Sequence, residues 1–196
     1  MMTNPALARE LTLRHRQTRE SIRHWCARAV TGPSVIRVFE KGTKDDLMPA
    51  LLRVPIEQLP ALPDRRAFEA WFEKQLEPVA KTLAKRNARR NSVQPGIKWG
   101  HAAKILAIYV RDIVLHSRYF EDEEVERLTP WLFVPVDSKV MERLADLGVE
   151  LPFHKIKEIA TRDHFYVVQN LLGANCKSGV ARVVFDDVWA DRSLNS

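Results

Sequence analysis

Residues 97–120 read IKWGHAAKILAIYVRDIVLHSRYF, and this stretch decides what kind of fold the chain can form. Its apolar side chains recur at helical spacing and make a wide face, which consists of Ala102, Ile105, Leu106, Tyr109 and Ile113 with His116 at the far end. Both sides of its middle turns are apolar, so the pattern predicts a helix at the centre of the core.

Helical patterns continue on both sides of this stretch. Residues 5–30 predict an amphipathic helix with Ile22, Trp25 and Ala29 on its apolar face. Asp64 stands where an N-cap would open a helix over 65–90, which Pro78 should kink or divide. Further helices are expected at 154–161, 163–176 and 183–191, while EDEEVERL at 121–128 is expected to be an acidic connector.

The stretch TPWLFVPVD at 129–137 has a different pattern. Pro130 and Pro135 each favour extended geometry in the residue before them, so a regular helix is excluded here. Asp137 then has the position of an N-cap for SKVMERLADLG at 138–148, and Gly148 has the usual position of a C-terminal glycine.

These patterns together predict an all-α fold, a compact orthogonal helical domain over residues 1–196. Two helical lobes, 1–90 and 91–196, are the alternative division. At most one short β element is expected, near residues 34–39, where SVIRVF is the best strand candidate.

Positive charge is concentrated in one part of the chain. Residues 81–118 hold nine Lys or Arg against one acidic residue, whereas residues 119–150 hold nine acidic residues against three basic ones. A second basic stretch, Arg9 to Arg28, has six arginines against two glutamates and is typical of a solvated helix face. Segregated positive charge favours an anionic partner such as nucleic acid.

Several classes of protein are not indicated. The longest apolar runs are far shorter than the ~20 residues of a membrane-spanning helix, and the N-terminus does not resemble a signal peptide, so we expect a cytoplasmic protein with no membrane partner. Cys26 and Cys176 lie far apart without CxxC spacing. We therefore expect no disulfide, no metal site and no cofactor.

Two stretches resemble a known family. PGIKWGHAAKIL at 95–106, followed by VPVDSKVMERLADLG at 134–148, resembles the helix-hairpin-helix DNA glycosylase superfamily, in which a Pro-Gly hairpin leads into a helix and a Val-Asp step opens the next helix. The resemblance implies a glycosylase-like helical fold that binds the backbone of duplex DNA. It implies a catalytic role for Asp137 and DNA contacts at Arg89, Arg90, Gly96, Lys98, Trp99, Gly100, His101 and Lys104.

The implied reaction is hydrolysis of the N-glycosidic bond of a base flipped out of the duplex. An ionised Asp137 would stabilise the oxocarbenium character of the sugar, and the helix dipole favours that ionised state. Gly100 occupies the position of the Schiff-base lysine of bifunctional members, so a monofunctional enzyme without lyase activity is implied. Trp99, Trp131, Tyr109 and Tyr119 are candidates to line the base pocket.

Two other functions stay open at this point. One is a non-catalytic helical protein that binds DNA backbone, and the other is a helical protein-interaction module whose basic stretches are solvated. Asp137 as an ordinary N-cap fits both of them. The oligomeric state is left open by the sequence.

Overall fold

The described part of the chain is built from α-helices and short 3-10 turns. The structure is a computed structural model that describes residues 5–32, 35, 39, 42–87, 99–146, 148–149, 151–176 and 179–183, with backbone alone at 5–12, 84–87 and 143. The helices are α1 Pro5–Val30, α2 Thr43–Leu52, α3 Arg65–Asn87, α4 Trp99–Leu115, α5 Asp122–Leu128, α6 Ser138–Asp146 and α7 Arg162–Asn175. The 3-10 turns are Ile56–Ala61, Thr129–Trp131 and Ile156–Glu158.

The all-α class is confirmed, because these residues form helices and no strand occurs among them. Most of the strand candidate at 34–39 lies outside the described residues, as do residues 184–191 of the expected last helix.

Helix α4 is the centre of the core, as the sequence predicts. It contacts α1, α3, α5, α7 and the Ile156–Glu158 turn, and ten of its residues are buried. The expected face from Ala102 to Ile113 is buried, but His116 is exposed because α4 ends at Leu115.

Helix α3 begins where its cap predicts. The backbone N–H of Ala67 donates to Asp64 Oδ1 at 2.8 Å, and the apolar stripe of the helix is buried against the core. The helix is not divided at Pro78. Proline at this position removes the hydrogen bond to the carbonyl of Lys74, but both residues are exposed, so water can solvate that carbonyl.

Helix α1 has the expected bounds, and Ile22 packs against the core as expected, but the rest of its buried stripe differs. Cys26, Ala27 and Val30 are buried, whereas Ala29 is exposed and Trp25 keeps 60% of its surface accessible. The expected placement of Trp25 on the buried face is therefore wrong. Adjacent helical residues differ by about 100° around the axis, so a shift of one position moves Trp25 off the core.

Two further expectations for local structure are wrong. The acidic connector forms helix α5, because Glu121 and Glu124 make a capping box in which the Glu121 N–H donates to Glu124 Oε2 at 3.0 Å. The expected helix at 154–161 is reduced to the 3-10 turn Ile156–Glu158. The Glu158 carboxylate accepts the N–H of His154 there and holds a tight local turn.

After the Thr129–Trp131 turn the chain runs extended through the core, as Pro135 predicts. The same expectation for the residue before Pro130 is wrong, because Thr129 is helical and Pro130 lies inside the turn. Residues 132–136 are all buried, although they have no neighbouring strand in the described residues. The Gln169 side chain accepts the N–H of Val134 at 3.0 Å and donates to its carbonyl at 2.8 Å. Arg182 donates to the carbonyls of Leu132 and Trp131. These side chains thus make the hydrogen bonds that a neighbouring strand would otherwise make.

The N-terminus of α4 approaches the Ile156–Glu158 turn closely. The Gly100 N–H donates to the Ile159 carbonyl at 2.8 Å. A Cβ atom at Gly100 would lie 2.6 Å from the Ile156 carbonyl oxygen and 2.9 Å from Ile159 Cβ. These distances are too short for a side chain, so glycine is required by packing at this position.

We therefore expect Gly100→Ala to lower the free energy of unfolding by about 1–3 kcal/mol through overpacking. The matched control is Gly173→Ala in α7, where a Cβ would meet nothing within 4 Å. Alanine is the better helix former by up to ~1 kcal/mol, so the control should leave the protein equally or more stable. Urea unfolding followed by circular dichroism checks both; equal effects of the two substitutions would contradict the packing argument.

Candidate nucleic-acid interface

Two predicted site residues meet in the structure. Lys104 Nζ of α4 lies 3.0 Å from Asp137 Oδ2, across a separation of 33 residues. The side chains are about one fifth and one third exposed, so the pair lies at the edge of the core. Lys104 is placed by the central helix, and Asp137 by the buried extended segment that precedes α6.

The Asp137 carboxylate has protein partners on both oxygens. Its Oδ1 accepts the N–H groups of Lys139 and Val140 at 2.9 and 3.0 Å, which confirms the predicted N-cap of α6. Partial burial by itself raises the pKa of Asp137. The positive charge of Lys104 and the two amide hydrogen bonds outweigh that effect and hold the pKa below its ordinary value. Asp137 is therefore ionised at neutral pH.

The residues at the start of α4 are largely engaged within the protein. The Gly100 N–H already has the Ile159 carbonyl as its acceptor, so a phosphate at this helix end would rely on other amides. Trp99 is half-buried with its ring centroid 5.4 Å from that of Phe165, and His101 meets Phe39 edge-on. Lys104 is the residue of this group that reaches Asp137.

Four of the predicted DNA contacts belong to the stretch before α4. Arg89, Arg90, Gly96 and Lys98 lie outside the described residues, together with Pro95 and Ile97. Of the aromatic candidates for a base pocket, Tyr109 and Tyr119 are buried, and Trp131 packs near the ring of Phe68.

Within the basic stretch 81–118, several cations of the described part lie beside carboxylates. Lys81 pairs with Glu77, Lys104 with Asp137, and Arg111 with its neighbour Asp112. Their charges are locally balanced. Arg89, Arg90 and Lys98 of the same stretch lie outside the described residues.

The sequence did not predict three surface clefts. One of about 740 Å³ lies between α3 and α7, one of about 850 Å³ between α1 and α2, and one of about 590 Å³ beside the C-terminal end of α6. Neither Lys104 nor Asp137 lines any of the three. Trp25 lines the second cleft. The sequence pattern did not reveal this cleft because it places Trp25 on the buried face of α1.

Comparison with protein-family models, curated proteins and solved structures gives no match to this chain. The likeness to helix-hairpin-helix glycosylases therefore depends on the two quoted stretches. In the ranges that the structure covers, no helix is long and apolar enough to cross a membrane, and no cluster of three metal-ligating side chains occurs.

Substitutions of Asp137 should separate its charge from its capping role. We expect Asp137→Ala to lower the free energy of unfolding by about 1–2 kcal/mol at pH 7, because the cap and the ion pair are both lost. Asp137→Asn keeps a capping oxygen and should cost less.

The cost of Asp137→Asn should also depend on pH. The pKa is lower in the folded state, so the stabilisation is complete above the unfolded value of about 4 and is lost as pH falls through the folded value. Urea unfolding at pH 7 and at about pH 2.5 measures this. Asp163→Asn, an exposed carboxylate in the first turn of α7, is the control. A cost that persists undiminished in acid would contradict the assignment.

Proposed function

We propose that this protein binds duplex DNA through its sugar-phosphate backbone, with the Pro-Gly hairpin and the N-terminal parts of α4 and α6 forming the contact surface. One observation carries the proposal: Lys104 and Asp137 form an ion pair at 3.0 Å although 33 residues separate them. The resemblance to the glycosylase superfamily requires the helix after the hairpin and the helix opened by Val-Asp to be neighbours. This ion pair supports that arrangement.

The electrostatics favour backbone binding without catalysis. Asp137 is neutralised by Lys104 and anchored by two amides, so the pair has little net charge with which to stabilise a cationic sugar. The positive excess of residues 81–118 suits phosphates instead, whose contacts require charge and backbone amides but no base recognition.

Binding should fall steeply with salt and be similar for unrelated duplex sequences. Lys98→Ala should reduce the slope of log affinity against log salt by about one. Lys104→Met should reduce that slope much less, because the Lys104 ammonium is already paired with Asp137 and contributes little to phosphate binding. Lys74→Ala, an exposed residue of α3 outside the basic stretch, is the control. Fluorescence anisotropy with labelled duplexes between about 50 and 300 mM salt measures this; no binding at the lowest salt would contradict the proposal.

A monofunctional glycosylase is the second candidate, favoured by the ionised state of Asp137 at the N-terminus of α6. In that case duplexes with a damaged base should give strand breaks after alkali treatment, and Asp137→Asn should abolish them while DNA binding is retained. Lys74→Ala should leave the product unchanged. No product from a broad set of damaged duplexes, or equal product from Asp137→Asn, would contradict catalysis.

A further inference from the structure

A second candidate binding surface lies in the cleft between α1 and α2. The cleft has a volume of about 850 Å³, and among its lining residues are Gln17, His24, Trp25, Arg28, Lys44 and Met48. The cleft shares no residue with the parts of α4 and α6 in the proposed duplex surface, because all of its lining residues belong to α1 and α2.

Trp25 is the unusual residue of this cleft. Its side chain is 60% exposed, while Cys26 and Ala27 beside it are fully buried. The indole is therefore held in place by a helix that is anchored in the core. Tryptophan is enriched at binding interfaces, because its ring offers a large apolar face and its N–H a hydrogen-bond donor.

The cleft carries a net positive charge. Arg28 and Lys44 line it, while its one acidic lining residue, Glu20, lies 3.4 Å from Arg16. Arg28 is the arginine of α1 that lines the cleft, while Arg19 and Arg23 are half-buried elsewhere on the helix.

We propose that this cleft binds single-stranded nucleic acid, with a base stacked on Trp25 and the neighbouring phosphates on Arg28 and Lys44. Single-strand sites combine a positive groove with aromatic platforms, because every base has a face that can stack and every linkage carries a charge. The cleft holds both elements next to each other, and its volume admits a nucleotide.

A protein partner fits this surface less well. A helix docked in a groove needs a run of apolar anchors at helical spacing. Trp25 and Met48 are the large apolar residues that line this cleft, and the remaining lining residues are polar or charged. Leu13, also exposed on α1, is twelve residues from Trp25 and about 18 Å along the helix.

The test is the affinity of the full chain for a labelled oligothymidylate of about 12 nucleotides at low salt. We expect Trp25→Ala to weaken binding about tenfold or more, and Trp25→Phe to retain most of it, because phenylalanine still stacks. Arg28→Ala with Lys44→Ala should weaken binding and flatten its salt dependence. Leu13→Ala, an equally exposed apolar residue of α1 outside the cleft, is the matched control.

Circular dichroism of each variant verifies that it folds. Iodide quenching of the Trp25 fluorescence gives a second readout. The Trp25 signal is the difference between the fluorescence of the wild type and that of Trp25→Phe. The oligonucleotide should protect Trp25 from iodide. Absent binding, unchanged affinity in Trp25→Ala, or protection by an acidic Leu/Glu peptide and not by the oligonucleotide would overturn the proposal. Lys98→Ala, which reports on the duplex surface, should leave single-strand binding unchanged, so failure of one proposal is distinguishable from failure of the other.

Discussion

The placement of the candidate duplex interface depends on one pair of buried hydrogen bonds, those between the Gln169 side chain and the backbone of Val134. A chain that crosses a core in extended form exposes N–H and C=O groups to an apolar environment. Each such group left unpaired costs about 1–3 kcal/mol. The amide of Gln169 presents a donor and an acceptor as a neighbouring strand would. The segment can therefore remain extended in a helical protein, and α6 begins where Asp137 meets Lys104.

Arg182 likewise satisfies the carbonyls of Leu132 and Trp131, which precede Val134. Burying its positive charge costs more free energy than burying the neutral amide of Gln169. Its guanidinium is buried, lies 4.5 Å from the ring centroid of Phe133, and donates to Leu132 and Trp131. Burial, together with the positive charge of Arg65, lowers the pKa of Arg182 to about 10. The group still carries its charge at neutral pH. Two carbonyl acceptors and an aromatic face offset part of the lost hydration, while Nη1 is buried without a hydrogen-bond partner.

Local patterns in the sequence predict the features that depend on near neighbours. The central position of α4, the caps at Asp64 and Asp137 and the extended segment are all confirmed, because helical period, capping and proline geometry act within a few residues. The capping box that forms α5 was also present in the sequence as Glu121 and Glu124. The buried stripe of α1 was missed because only the packing of distant helices selects Cys26 over Trp25. Gln169 and Arg182 act over 35 and 50 residues, beyond the reach of any local pattern.

The close approach at Gly100 limits what this fold can become by mutation. On the proposed resemblance Gly100 takes the position of the Schiff-base lysine of bifunctional glycosylases, but any side chain here collides with the backbone of Ile156 and with Ile159. A single change to lysine would therefore have to displace the 156–159 turn before it delivered an amine. A single substitution therefore cannot introduce Schiff-base chemistry at this position. The neighbouring turn would have to change its conformation first.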